Sequence, residues 1–121
     1  MRLGIVVVVR ARGRVVRRLQ LGSLGVVRRR RLRLLDLVVA NRGNVTESIA
    51  RGRALVSLAR DGRRFATLAA SSRRFRPRTS GILQFPYRGP RRGWVTARVV
   101  MSGESGAPGR NVVRRTYRIR L

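Results

Sequence analysis

Four carboxylates and thirty arginines carry almost all the ionisable chemistry of this 121-residue chain. The carboxylates are Asp36, Glu47, Asp61 and Glu104, and the sequence holds no histidine, cysteine or lysine. Without imidazole or thiolate, the usual zinc constellations, the Ser-His-Asp triad and the Cys-His pair are all excluded. Any acid-base work would fall to the four carboxylates. Asp61 sits in a tight turn signal, Glu104 in a Gly/Ser-rich stretch, Asp36 inside an apolar run and Glu47 after a turn, so no sequence-local pair of the glycosidase kind exists. Too few of the residue types that build active sites are present for an enzyme to be expected, and nothing calls for a metal or a cofactor.

Arginine chemistry is different. A guanidinium offers a planar fork of donors that matches phosphate, sulfate or carboxylate oxygens. The formal charge is +26, a surface that repels itself and gathers anions, so a polyanion is the first partner to consider. Three clusters stand out as candidate clamps: Arg28, Arg29, Arg30, Arg31 and Arg33; then Arg73, Arg74, Arg76 and Arg78; then Arg88, Arg91 and Arg92. Each is also readable as a solvated basic loop, and the three either converge or dot the surface. A coding sequence rich in G and C drifts toward Arg, Ala, Gly, Val and Leu, which leaves a purely structural chain with drifted charge as an alternative. Drift does not remove acids, however, and a typical domain carries acids and bases in comparable number.

The elements that must position these groups read as strands. One domain, spanning residues 1–121, is expected from the length, and 43% apolar residues suffice for a modest core. Short apolar runs with period-two alternation and turn punctuation recur throughout, which predicts an all-β, immunoglobulin-like antiparallel sandwich of about seven to eight strands. The expected strands are Ile5 to Arg10, Val15 to Leu21, Arg31 to Ala40, Arg53 to Arg60, Arg64 to Leu68, Ile82 to Tyr87, Trp94 to Met101 and Val112 to Leu121. Gly22, Ser23 and Gly25 are expected to break the second of these. Arg31 to Ala40 is apolar on both faces and should lie centrally in its sheet.

The turns have mechanisms. Asn41-Arg42-Gly43-Asn44 combines residues that tolerate positive φ with side chains able to bond local backbone. Asp61-Gly62 is a two-residue hairpin signal of type I′. Pro77 marks residues 69–79 as a crossing loop or edge strand, and Pro86 marks its own strand as an edge or a bulge. Thr46 to Ala59 also reads as a helix with Thr46 as N-cap, but Gly52, Val56 and the hairpin downstream favour a strand, with one irregular turn over residues 47–50. Residues 1–14 are a strand or a linker from a preceding segment. The run Ile5 to Val9 is too short for a signal peptide, since Arg10, Arg12 and Arg14 follow it at once.

The order of motifs resembles bacterial surface immunoglobulin-like domains, in particular the host-binding domain of WxL-interacting cell-wall proteins. The stretches that carry the resemblance are Leu19-Gln20-Leu21-Gly22, Leu37 to Asn41, Gly62 in its hairpin, Phe75-Arg76-Pro77, Phe85-Pro86, Gly93-Trp94-Val95-Thr96 and Tyr117-Arg118-Ile119. The family pattern has a proline after the asparagine where this chain has Arg42-Gly43-Asn44. The resemblance implies a non-enzymatic module of an exported, wall-associated protein, with an anionic cell-wall polymer or an acidic protein surface as partner.

Nucleic acid is the rival partner, as a small basic β-barrel would bind it by backbone neutralisation. Such a binder of single strands should show exposed aromatics. Here Phe65, Phe75, Phe85, Tyr87, Trp94 and Tyr117 mostly fall at core-compatible positions, and Trp94 is expected to pack in the core. Asn44-Val45-Thr46 matches a glycosylation sequon but is read as a turn.

Overall fold

The computed structural model describes residues 14–102 and 112–121. The expected strand Ile5 to Arg10, Glu104 and most of the Ser102 to Arg110 loop lie outside the described residues. Within them the chain forms nine strands and no helix: β1 (Leu19–Arg28), β2 (Arg33–Asn41), β3 (Glu47–Ile49), β4 (Ala54–Arg60), β5 (Arg63–Ala69), β6 (Arg73–Phe75), β7 (Thr79–Tyr87), β8 (Trp94–Ser102) and β9 (Val112–Arg120).

Two antiparallel sheets, ordered β1-β2-β7 and β5-β4-β8-β9, face each other, and a two-stranded ladder of β3 and β6 accompanies them. This Greek-key order is that of an immunoglobulin-like sandwich, the arrangement expected from the strand pattern. Alternation builds the core: Leu35, Leu37 and Val39 of β2 and Leu83 and Phe85 of β7 meet Val56, Leu58, Val95, Ala97 and Val99 of the opposite sheet, all buried. β2 is central in its sheet, as its two apolar faces require. Pro86 sits on β7, an outer strand of its sheet, where a missing N–H costs no ladder bond.

Several expectations need correction. Gly22, Ser23 and Gly25 do not end a strand; they lie within β1, whose register against β2 shifts between Leu21 and Leu24. The shift is a bulge that lets Leu21, Leu24 and Val26 all turn inward. Glycine suits position 22, where an added Cβ would crowd the Val38 side chain at 3.1 Å. The carbonyls of Leu21 and Gly22 are taken by the opposite sheet: Arg115 Nη1 donates to Leu21 at 2.9 Å and the Tyr117 hydroxyl to Gly22 at 2.6 Å. Conversely, residues 14–18 are not a regular strand. They lie along the turn after β2 through single bonds, such as Arg42 N–H to Arg18 O and Asn44 N–H to Val16 O.

The turn Asn41-Arg42-Gly43-Asn44 is real, but its basis differs from the expectation. None of its residues has positive φ. Gly43 is there because a Cβ would stand 2.2 Å from Val16 O. Asn41 is fully buried and is the hub: its Oδ1 accepts from Gly43 N–H, while Nδ2 donates to Val45 O and to Phe75 O. Asn44 binds residues 14–16 instead, accepting from Val16 N–H and donating to Arg14 O. Asp61 and Gly62 do adopt positive φ, 52° and 78°, as a type I′ turn demands.

The irregular turn expected over residues 47–50 is the short strand β3, paired with β6. These two strands raise the count to nine. Glu47 at its start is 1% exposed and pairs with Arg17 at 3.2 Å.

Candidate polyanion interface

Strand register decides which arginine clusters meet. The β1–β2 turn is tight, with Arg29 and Leu32 exchanging backbone bonds and Arg30 and Arg31 at its tip. Arg33, the first residue of β2, pairs with Tyr87, the last of β7. The β7–β8 loop, with Arg88, Arg91 and Arg92, therefore leaves from beside the β1–β2 turn. In the other sheet, Trp94 at the start of β8 pairs with Arg120, and the β4–β5 hairpin returns beside them through Arg60 and Arg63. The first and third clusters thus converge on one pole of the sandwich. Arg73, Arg74, Arg76 and Arg78 lie at the opposite pole, since Thr79 pairs with Asn41.

Arg60 and Arg120, which stand alone in sequence, join the two clusters at the first pole. Arg60 donates from Nε to Trp94 O at 3.3 Å and from Nη2 to Arg92 O. Arg28 Nη2 reaches Arg120 O at 3.0 Å, across the two sheets. Arg92 Nη1 donates to Gly89 O and Arg91 O, both at 2.9 Å. Arg33 Nη1 donates to Arg29 O at 2.9 Å and Leu32 O at 3.4 Å. Arg91 lies over the Phe65 ring at 4.8 Å.

These partners are neutral. Backbone carbonyls and a ring fix guanidinium positions while leaving the charge uncancelled. Asp61, in the β4–β5 turn, is exposed and enters no ion pair among the described residues. The crowding is felt by Arg33, whose pKa is lowered from its ordinary value by burial first, then by Arg92 and Arg28. Its Nε is buried with no hydrogen-bond partner among the described residues.

Trp94 overturns its core expectation. It is 54% exposed, on the outer face of β8 with Thr96 and Arg98, and the Arg118 guanidinium sits 5.7 Å from its ring centroid. Alternation explains this: Val95 and Ala97 point inward, so Trp94 must point out. Phe75, Phe85 and Tyr87 are buried, and Phe65 and Tyr117 are packed against the core.

The described carboxylates stay apart. Asp36 accepts from Gln84 Nε2 at 3.1 Å on the outer face of the three-stranded sheet, Glu47 pairs with Arg17, and Asp61 is at a hairpin tip.

No family model matches the chain, and no curated protein matches it. Among solved structures, it is similar to beta-glucosidase 3B from Thermotoga neapolitana, solved in complex with alpha-D-glucose, at 16% identity and a TM-score of 0.43. The match covers 84% of this chain and 16% of that one, so the chain spans a small fraction of that protein's length.

Proposed function

We propose that this domain is a non-enzymatic cell-surface binding or spacer module whose arginine pole holds an anionic wall polymer. The observation that carries the reading is the meeting of the β1–β2 turn and the β7–β8 loop, with their guanidiniums anchored on carbonyls rather than on acids. A polymer with a charge on every repeat can engage several of these groups at once, and each contact releases counterions. The resemblance to wall-associated immunoglobulin-like domains points to the same partner.

A second reading, nucleic acid, draws on one observation: Trp94 is exposed beside arginines. Single strands use such rings for stacking. Titration of poly(glycerol phosphate) across a salt series tests the first reading. Binding should weaken linearly on a log-log plot and persist at physiological salt. Absence of binding at low salt would remove the polyanion role, and a length-matched oligothymidylate that outcompetes the polymer would replace the partner.

A further inference from the structure

The outer face of the four-stranded sheet continues from the arginine pole into a shallow open cleft of about 440 Å³ lined by Ser57, Ala59, Gly62, Arg64, Thr96 and Arg98. Register explains its shape. Ala59 pairs with both Thr96 and Arg64, and Ser57 pairs with Arg98, so short side chains make the floor and long guanidiniums the rim. Thr96 in turn pairs with Arg118, which brings a third guanidinium alongside, and Trp94 lies two residues from Thr96 on the same face. Among the described residues nothing bonds the Ser57 and Thr96 hydroxyls or the Arg64 and Arg98 guanidiniums.

We propose that this cleft is a saccharide subsite: it takes a sugar ring bearing a carboxylate, phosphate or sulfate, within the anionic polymer held at the pole. The inference rests on the polyanion reading above and adds the chemical class of the repeating unit. The apolar C–H face of the sugar lies on the indole of Trp94. Its hydroxyls meet Thr96, and its anionic substituent is clamped by Arg98 with Arg64 or Arg118. A platform for single strands would stack successive bases on successive rings. Here the next outward positions along β8 after Trp94 are a hydroxyl and a cation, Thr96 and Arg98, about 6–7 Å apart along the strand. One ring followed by hydroxyls and charge suits one sugar at a time better than a run of bases.

Trp94 is the chain's sole tryptophan, so its emission reports the cleft directly. The test compares a heparin-derived hexasaccharide, a ring-free polyphosphate and an oligothymidylate of matched charge, each titrated into the wild-type chain, Trp94→Ala and the double variant Arg64→Ser/Arg98→Ser. The hexasaccharide should shift Trp94 emission, and each variant should weaken it about tenfold, the scale of losing one aromatic or charge-assisted contact. Polyphosphate should bind with little emission change and lose less than about twofold in Trp94→Ala, because it has no ring to stack. The saccharide subsite is overturned if the hexasaccharide leaves the emission unmoved, or if oligothymidylate shows the larger Trp94 dependence. Should polyphosphate also fail to bind at low salt, the pole itself is refuted. A failure confined to the saccharide arm refutes the cleft and leaves the pole standing.

Discussion

Replacing Asn41 by Ala removes a small side chain and should still be among the most damaging changes in the fold. The Asn41 amide makes three bonds of 2.8, 2.8 and 3.0 Å, which tie the end of β2 to Gly43, Val45 and the β6 residue Phe75. Three such bonds at about 1 kcal/mol each give about 3 kcal/mol, and stranding two carbonyls and an N–H away from water raises the loss to about 4 kcal/mol. For a domain of this size that corresponds to a Tm drop of about 10–15 °C. Urea unfolding followed by circular dichroism, at constant m value, measures it.

The exposed neighbour Asn44, changed to Ala, should lose less than about 1 kcal/mol in the same assay, since water replaces its partners. Asn41→Asp sharpens the test. A carboxylate facing the Val45 and Phe75 carbonyls has its folded pKa raised above the unfolded value. Its stability is then greatest below the unfolded pKa and falls as pH rises toward the folded one. A loss below about 1 kcal/mol in Asn41→Ala, or an Asn41→Asp variant indifferent to pH, would refute Asn41 as the hub.

Other consequences follow from single positions. Tyr117 donates its phenolic proton to Gly22 O, and burial pushes its pKa up, an effect larger than the opposing influence of Arg115. A raised folded pKa means stability present below the ordinary tyrosine range and lost as pH climbs through and above it, so Tyr117→Phe should flatten that alkaline decline in thermal melts. Arg78 holds a φ of 59° in the β6–β7 turn; Arg78→Gly should therefore raise stability by about 0.5–1 kcal/mol in urea, and a loss would contradict the strain. Trp94→Ala should cost under about 1 kcal/mol despite the size of the side chain, whereas Phe85→Ala, at a fully buried site, should cost about 3–5 kcal/mol.

What the residues made legible, and what they did not, follows the range of the interactions. β2, β4, β7 and β8 are readable because their inward faces repeat every second residue without interruption, and β9 through Val113, Tyr117, Ile119 and Leu121 although Arg115 takes one inward position. β1 is not, since a bulge slips that phase by one residue between Leu21 and Leu24 and fills the slip with Gly22 and Ser23. The inward set Leu19, Leu21, Leu24 and Val26 carries the signal, once a one-residue shift is allowed. β3 and β6 are only three residues long, too short for any period to show.

Trp94 departs from the usual burial of tryptophan because the alternation of β8, with Val95 buried, turns it outward. The clusters Arg28–Arg33 and Arg88–Arg92 were visible as clusters, but their meeting depends on the pairing of Arg33 with Tyr87, fifty-odd residues away. Arg60, Arg118 and Arg120 belong to the same pole and sit singly in strands, where nothing in sequence marks them.

The central claim is that position, and not net charge alone, makes the polyanion site. Two variants of equal charge separate the two: Arg29, Arg30, Arg31 and Arg88 changed to Ser at the arginine pole, and Arg51, which precedes the end of β4 that pairs with Met101, with Arg74, Arg76 and Arg78 changed to Ser at the opposite one, all of them exposed. Binding of poly(glycerol phosphate) to each, measured by calorimetry across a salt series, should fall about a hundredfold in the first with a shallower salt slope, and less than about fivefold in the second. Equal losses in the two variants would contradict the claim, leaving only diffuse attraction to a basic surface.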